Sequence, residues 1–509
     1  MFRPFNSLLL IVFCTFKLAV ADIYKAKSNL LLCLSEDHAA HLFNSLENYG
    51  STINPTPHLS RIAQTGYFHQ LAYCTNATSR DTAFSIQTGL VKSSNLETYN
   101  HSQFIAHFFK KLGYETAFFG SWTWKKKPKI FGFSYWNILD DPEIFFNPKI
   151  LDSKGARHIE GHSTDIITDL AIRWIRKERN SEKPFFVIVS YQGTRRPWIP
   201  PIRKIDHYNN EWFESPDNFF TNFTTRTPAN KYQRMNIAQD LDIINDLFLN
   251  NPSEENITAT SSTILSKNLV SMNDEQKSAW KLAWKPQNEA FDRESHSDES
   301  LAIWKFQRFF KNYLRCILAM DENIGRLVES IPIIEKNGLN FIYTSERGRF
   351  TGEFGWFGSE WMYEPSARVP LILSSFQGTN FPEIASDKLF LDIDLYNLMR
   401  NWSYSLRNEF YFTHYDYPGK YSVCPHRGLR KERYKIIHYY PFNEWEFYDL
   451  IIDPKEEENL YRQNAYNTLI KEYKELLNEY TDHTAVHEPR VLFPETWKRA
   501  QRSPNKKTR

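Results

Sequence analysis

Short runs of β-branched and aromatic residues alternate with amphipathic stretches along most of this chain, and that alternation restricts the fold more than any other feature. The strand candidates are Leu30–Leu34, Ala117–Gly120, Phe185–Ser190, Phe341–Thr344 and Val369–Leu373. Helical patterns lie between them at His58–Thr65, Phe104–Leu112, Thr164–Arg176 and Tyr313–Ile331. In the last of these Ile317, Met320, Ile324, Leu327 and Ile331 recur at helical spacing. Strands separated by helices imply an α/β fold, a doubly wound and mostly parallel sheet covered on both faces. Ligands in such sheets sit at the carboxyl ends of the strands. A smaller C-terminal α+β subdomain is expected over 376–497, closing with a helix through Leu469, Tyr473, Leu476 and Tyr480.

Other segments read differently. Residues of about 250–300 are rich in Ser, Asn and Glu and read as a polar surface insertion in a domain spanning 22–375. The closing stretch KRAQRSPNKKTR, 498–509, reads as a basic disordered tail. Residues 1–21 have the form of a signal peptide, with Arg3, an apolar run Leu8–Phe16 and a small-residue site Ala19-Val20-Ala21. That run is too short to cross a bilayer, and no later segment qualifies. The expected location is therefore extracellular or the lysosomal or endomembrane lumen. Sequons beginning at Asn76, Asn100, Asn222, Asn256 and Asn401 fit that route. Cys33 and Cys316 sit in apolar runs and read as core residues, and cysteines are too few for a disulfide scaffold. A net charge of +2 speaks against a nucleic-acid partner. Aromatics at 16% imply a Phe/Tyr-rich core, with exposed rings that stack on sugars as the other reading.

Six blocks in order resemble the sulfatase branch of the alkaline phosphatase superfamily. They are NLLLCLSED at Asn29–Asp37, TPHLSRIAQTGYFHQLAY from Thr56 running on into SRDTAFSIQTGL at Ser79–Leu90, PFFVIVSY at Pro184–Tyr191 and MDENIGRL at Met320–Leu327. The last two are YTSERGRFTGEFGWFGSEWMYEPSARVPLIL at Tyr343–Leu373 and WEFYDLIIDPKEEENL at Trp445–Leu460. The pattern is most similar to lysosomal enzymes acting on heparan or iduronate sulfates.

The resemblance implies a formylglycine nucleophile, made from Cys or Ser in C/S-x-P-S-R, and a Ca²⁺ ion on oxygen ligands that polarises the sulfate. Lysines and histidines would neutralise the sulfate and protonate the leaving alcohol. The ungapped match places Ser79-Arg80-Asp81-Thr82-Ala83 on the motif, with Ser79 at the nucleophile and the Pro and Arg replaced. A gapped match on Asn76-Ala77-Thr78-Ser79-Arg80 puts Asn at the nucleophile, and a glycan on Asn76 would stand near the mouth. The implied metal positions carry Glu36, Asp37, Glu346 and Arg347, and a guanidinium, always protonated, is not a ligand. Two expectations compete there: Arg347 replaces the cation and pairs with Glu36, Asp37 and Glu346, or these charges are solvated and unconnected. The implied Lys and His roles fall on Ser121, Trp124, Arg195 (Trp198 with a gap) and Ser359. The new Trp and Arg residues either fill the old cavity or remodel it to grip an anionic glycan by Arg195, Arg196 and stacked Trp.

The leading expectation is a secreted sulfatase-like pseudoenzyme that binds sulfated glycans, proteoglycans or a protein. The alternative is an active sulfuric ester hydrolase acting on glycosaminoglycan-type esters, using Ser79 or an unusual site. A third reading, a phosphodiesterase with two metals held by Asp and His, is opposed by Glu346-Arg347 as strongly as calcium is.

Overall fold

The computed structural model describes residues 28–91, 99–221, 226–249, 263–292, 296–331 and 337–484. The expected signal segment, the basic tail and the sequons at Asn222 and Asn256 lie outside the described residues.

The strand Asn29–Asp37 is buried throughout and lies between Phe185–Tyr191 and Leu339–Arg347, parallel to both. Parallel Glu115–Gly120 and Tyr135–Leu139 extend the sheet beyond Phe185–Tyr191. On the far side Leu371–Phe376 and Gly66–His69 add antiparallel, and a short hairpin, Lys149–Leu151 with Ala156–His158, closes the other edge. The result is the expected doubly wound, mostly parallel sheet, here of nine strands.

Alternation along the central strand explains the two layers. Leu30, Leu32 and Leu34 face one core with Phe84, Ile86, Phe104 and Phe109, from helices Ser79–Thr88 and Ile105–Lys111 and the turn between them. Leu31 and Cys33 face the opposite core with Ile166, Leu170, Met320, Ile324 and Leu327, from helices Ser163–Arg173 and Asp298–Ser330. Each leucine buried here is worth about 2 kcal/mol of transfer free energy, so both faces must be covered.

Two boundaries differ from the sequence expectation. The stretch at 250–300 is more than a surface insertion: helices Ile264–Ser271 and Asp274–Asp292 bury Leu265, Trp280 and Trp284 against Phe145, Phe146, Ile199 and Phe248. Sparse apolar residues among polar ones hid this core, because two tryptophans carry most of the buried area. The smaller unit also begins later than 376. Helix Asp394–Asn401 packs Leu395, Leu398 and Met399 on the large sheet. The separate unit is the four-stranded antiparallel meander Glu409–His414, His426–Lys431, Tyr434–Tyr439, Glu444–Asp449. It is covered by helix Asn467–Thr484 through Ile470, Tyr473 and Leu477. Cys33, Cys74, Cys316 and Cys424 are all buried and free.

Candidate functional site

Because Asn29–Asp37, Phe185–Tyr191 and Leu339–Arg347 run parallel, their carboxyl ends meet at one edge. Asp37 and Arg347 are the last residues of neighbouring strands and stand opposite each other in register. The loop after Tyr191 brings in Thr194, whose hydroxyl accepts from the Asp37 amide at 3.2 Å, and Arg195. Gly120 ends its strand at φ +108°, where any Cβ would strike the Ser190 carbonyl, and so sets Ser121 at the same edge. Ser79 opens its helix behind the cap Thr78, whose hydroxyl accepts from the Asp81 amide. Asp81 is an acid in this helix's first turn, a favourable place for negative charge.

The charges form a connected network. The Arg347 Nε donates to one oxygen of Asp37, and Arg349 donates to the other. Arg347 also lies 3.7 Å from Glu36 and 3.4 Å from Glu360. Arg195 approaches Glu36 at 3.7 Å and Glu143 at 3.9 Å. Burial opposes ionisation of Asp37, but Arg347 and Arg349 outweigh it and hold its carboxyl well below the usual carboxylate range. Of the two expectations for this cluster, the paired one describes the geometry, with one correction. Arg347 reaches Glu360 and makes no ion pair with Glu346. Burial and then the nearby Glu36 push the Glu346 carboxyl, which lies beside Ser79, well above its ordinary value. Glu360, at φ +82°, is pushed up to about 7 by burial, with Arg347 pulling the other way.

These residues do not fit the calcium ion that the resemblance implies. Both oxygens of Asp37 are already taken by guanidinium groups, and Arg347 occupies a position where the resemblance implies a ligand. Among the described residues no group of three or more His, Cys, Asp and Glu is arranged to hold a metal.

The other expected positions divide. Ser359 is fully buried. Trp124 packs edge-on to Trp122, with centroids 4.6 Å apart, and beside Phe104 and Phe131, so it fills space as core. Trp198 is also fully buried, beneath Arg349. Arg196 is spent on a two-pronged pair with Asp246, its Nε at 2.7 Å. The expected grip by Arg195, Arg196 and stacked tryptophans therefore reduces to Arg195, which is only loosely paired. Asn76 is corrected too: its side chain is buried and its amide donates to Thr75 and Ser85 at 3.1 Å each, leaving a glycan no room in the folded chain. Asn100 and Asn401 are exposed.

Sequence reasoning missed Arg349, Glu360 and Lys420. Lys420, on an exposed stretch, acts through space on Asp37 and Glu360 and lowers the pKa of each. Arg195, Arg347 and Arg349 thus gather around Glu36 and Asp37, with Glu360 against Arg347 and Glu143 against Arg195.

Comparisons agree with this architecture. Residues 28–386 match the family model described as Sulfatase, and residues 395–483 match N-sulphoglucosamine sulphohydrolase, C-terminal. The chain is 30% identical to an N-acetylglucosamine-6-O-sulfatase of Bacteroides thetaiotaomicron, over 92% of this chain and 89% of the relative. It is 23% identical to an arylsulfatase of Clostridium perfringens, over 85% of this chain and 92% of that one. A solved structure of a protein in complex with its substrate D-glucosamine-2-N,6-O-disulfate superposes with a TM-score of 0.83 at 28% identity, covering 91% of this chain and 99% of that chain. A phosphonate monoester hydrolase from Silicibacter pomeroyi shares the fold at a TM-score of 0.58, 14% identity, and coverage of 91% and 96%. With the sheet covered on both faces and both family models in agreement, this chain belongs to the sulfatase family.

Proposed function

We propose that the strand-end cleft binds sulfate esters of amino sugars, of the glycosaminoglycan type, and that arginine takes the place of the family's cation in holding the sulfate. The observation that carries this reading is the convergence of three guanidinium groups, Arg195, Arg347 and Arg349, on Glu36 and Asp37 at the strand ends. Arg195 is the group best placed to meet the ligand, because its planar fork suits a sulfate oxygen pair and its own ion pairs are long. The amino-sugar class is supported by the names of the relatives, one a 6-O-sulfatase and one seen with a disulfated glucosamine.

The step after binding has two readings. Seating two guanidinium groups on Asp37 favours a protein that binds without turnover by the calcium route. The likeness to a protein named N-acetylglucosamine-6-O-sulfatase over nearly the whole chain favours the other, a hydrolase of glycosaminoglycan-type esters. In that reading Ser79 is the residue at the nucleophile position, and the buried Glu346, its pKa raised by burial, lies beside it.

One experiment separates them. Sulfate release from N-acetylglucosamine 6-sulfate is followed with and without calcium, together with a mass spectrum of the Ser79 peptide. Release that disappears in Ser79→Ala, or formylglycine at Ser79, overturns the binding-only reading. Binding of the sugar weakened in Arg195→Gln, with no release, sustains it. Equal binding of the sulfated and unsulfated sugars refutes the cleft assignment altogether.

A further inference from the structure

A second concentration of positive charge lies outside the cleft. Helix Asp298–Ser330 places Arg308, Lys311 and Arg315 on successive turns of one face. Arg308 and Arg315 are buried, at 5% and 0% exposure. Among the described residues neither meets a carboxylate. Arg308 donates to the Leu247 carbonyl and to the amide oxygens of Gln287 and Asn288 at 2.6–2.9 Å. Arg315 donates to the His207 carbonyl and to Asn312 and Asn209 at 2.7–2.8 Å. Both guanidinium groups stand over the Trp284 ring, at 4.1 and 5.4 Å. Carbonyl and ring dipoles orient these cations without cancelling their charge, and an arginine does not escape by losing its proton. Burial and the neighbouring arginines also lower Lys311, to about 8.

This charge borders a cavity of about 840 Å³ that Arg308, Lys311, Trp212, Trp304 and His296 help to line. Trp212 stands at its rim, 65% exposed, and among the described residues has neither a ring contact nor a hydrogen bond. Glu299 also lines the cavity, and among the described residues it pairs with none of the three cations. Asp206 and Glu211 act on Arg315 and Lys311 through space, with no ion pair among the described residues, so the cost of burying these cations is only partly offset and an anion entering the cavity would relieve more of it. An exposed indole beside the charge supplies a flat apolar face for the C–H side of a sugar ring.

We propose that this cavity is a second binding site, for an anionic saccharide whose sulfate or carboxylate meets Arg308 and Lys311 while a ring stacks on Trp212. The site rests on its own residues and shares none with the strand-end cleft. It stands or falls apart from the function proposed above.

The test is calorimetric titration of the full chain with a heparin-derived sulfated tetrasaccharide and its chemically desulfated counterpart. Trp212→Ala, Lys311→Gln and Arg195→Gln are compared with the unaltered chain, with melting temperatures as controls for folding. Trp212 and Lys311 are reached from solvent, so neither change empties a core. Each of these two should weaken the sulfated probe about tenfold, and desulfation should do the same. If Arg195→Gln alone weakens binding, the cleft keeps its ligand and this site is refuted. If Trp212→Ala and Lys311→Gln alone do, the second site is sustained, and the strand-end assignment is decided by the sulfate-release and sugar-binding experiment above. A polyglutamate peptide that binds as tightly as the saccharide, with the same dependence on Lys311 and none on Trp212, overturns the saccharide assignment.

Discussion

Removing one guanidinium from Asp37 tests the central structural claim most directly. Asp37 is fully buried and meets Arg347 and Arg349 on separate oxygens. Breaking a buried pair by deleting one partner typically costs about 3–5 kcal/mol, because an uncompensated charge stays behind. In Arg347→Gln the second arginine still serves Asp37, so the cost should fall at the low end, about 3 kcal/mol. Asp37→Asn removes the acid and leaves two buried arginines facing each other, a comparable loss. The double variant should recover part of both. A double-mutant cycle in urea, followed by tryptophan fluorescence at pH 7, should give a coupling of about 2 kcal/mol. A coupling below about 0.5 kcal/mol would mean that these charges act as solvated, independent groups, and the pairing argument would fail.

Further expectations rest on the same structure. The carboxyls of Glu360 and Asp392 are each pushed up to about 7 by burial. The folded chain therefore holds protons that the unfolded chain has released, and stability should fall as pH rises from the ordinary carboxylate range to about 7. Glu360→Gln should flatten part of that slope and raise the melting temperature at pH 8; an unchanged slope would contradict the shift. Calcium at millimolar concentration, or a chelator, should leave the melting temperature where it is, and a rise with calcium would show a cation site that the arginines do not block. Trp280→Ala, in the buried part of the 250–300 stretch, should destabilise by about 3–5 kcal/mol, whereas a true surface insertion would lose under 1 kcal/mol. If the chain is glycosylated, Asn76→Gln should remove no glycan mass by electrophoretic mobility, and loss of a glycan would show that Asn76 is reached before its segment folds.

The sheet and its helices were legible in the sequence because hydrophobic periodicity is written locally. Leu30 to Leu34 reads as a strand buried on both faces, and Ile317, Met320, Ile324 and Leu327 read as one helix face. The pairing of Asp37 with Arg347 was legible for a related reason: both end strands that the topology sets side by side, so register brings them together. Glu360, Arg349 and Lys420 carry no comparable signal. They arrive on loops whose path depends on tertiary packing, and Glu360 holds a backbone conformation unusual for its residue type. The buried Asn76 was misread because a sequon states what an enzyme recognises and is silent about burial. The core around Trp280 and Trp284 was missed because a few large rings do not register as periodicity.

The register between Asp37 and Arg347 has one more consequence. A metal ion joins a protein by mass action, so a metal-closed site is completed only as far as the surrounding ion supply allows. Arg347 belongs to the same chain, and the sheet delivers it beside Asp37 at a local concentration that no dialysis can dilute. The clasp across these strand ends is therefore made as soon as the two strands pair, and its integrity depends on folding alone.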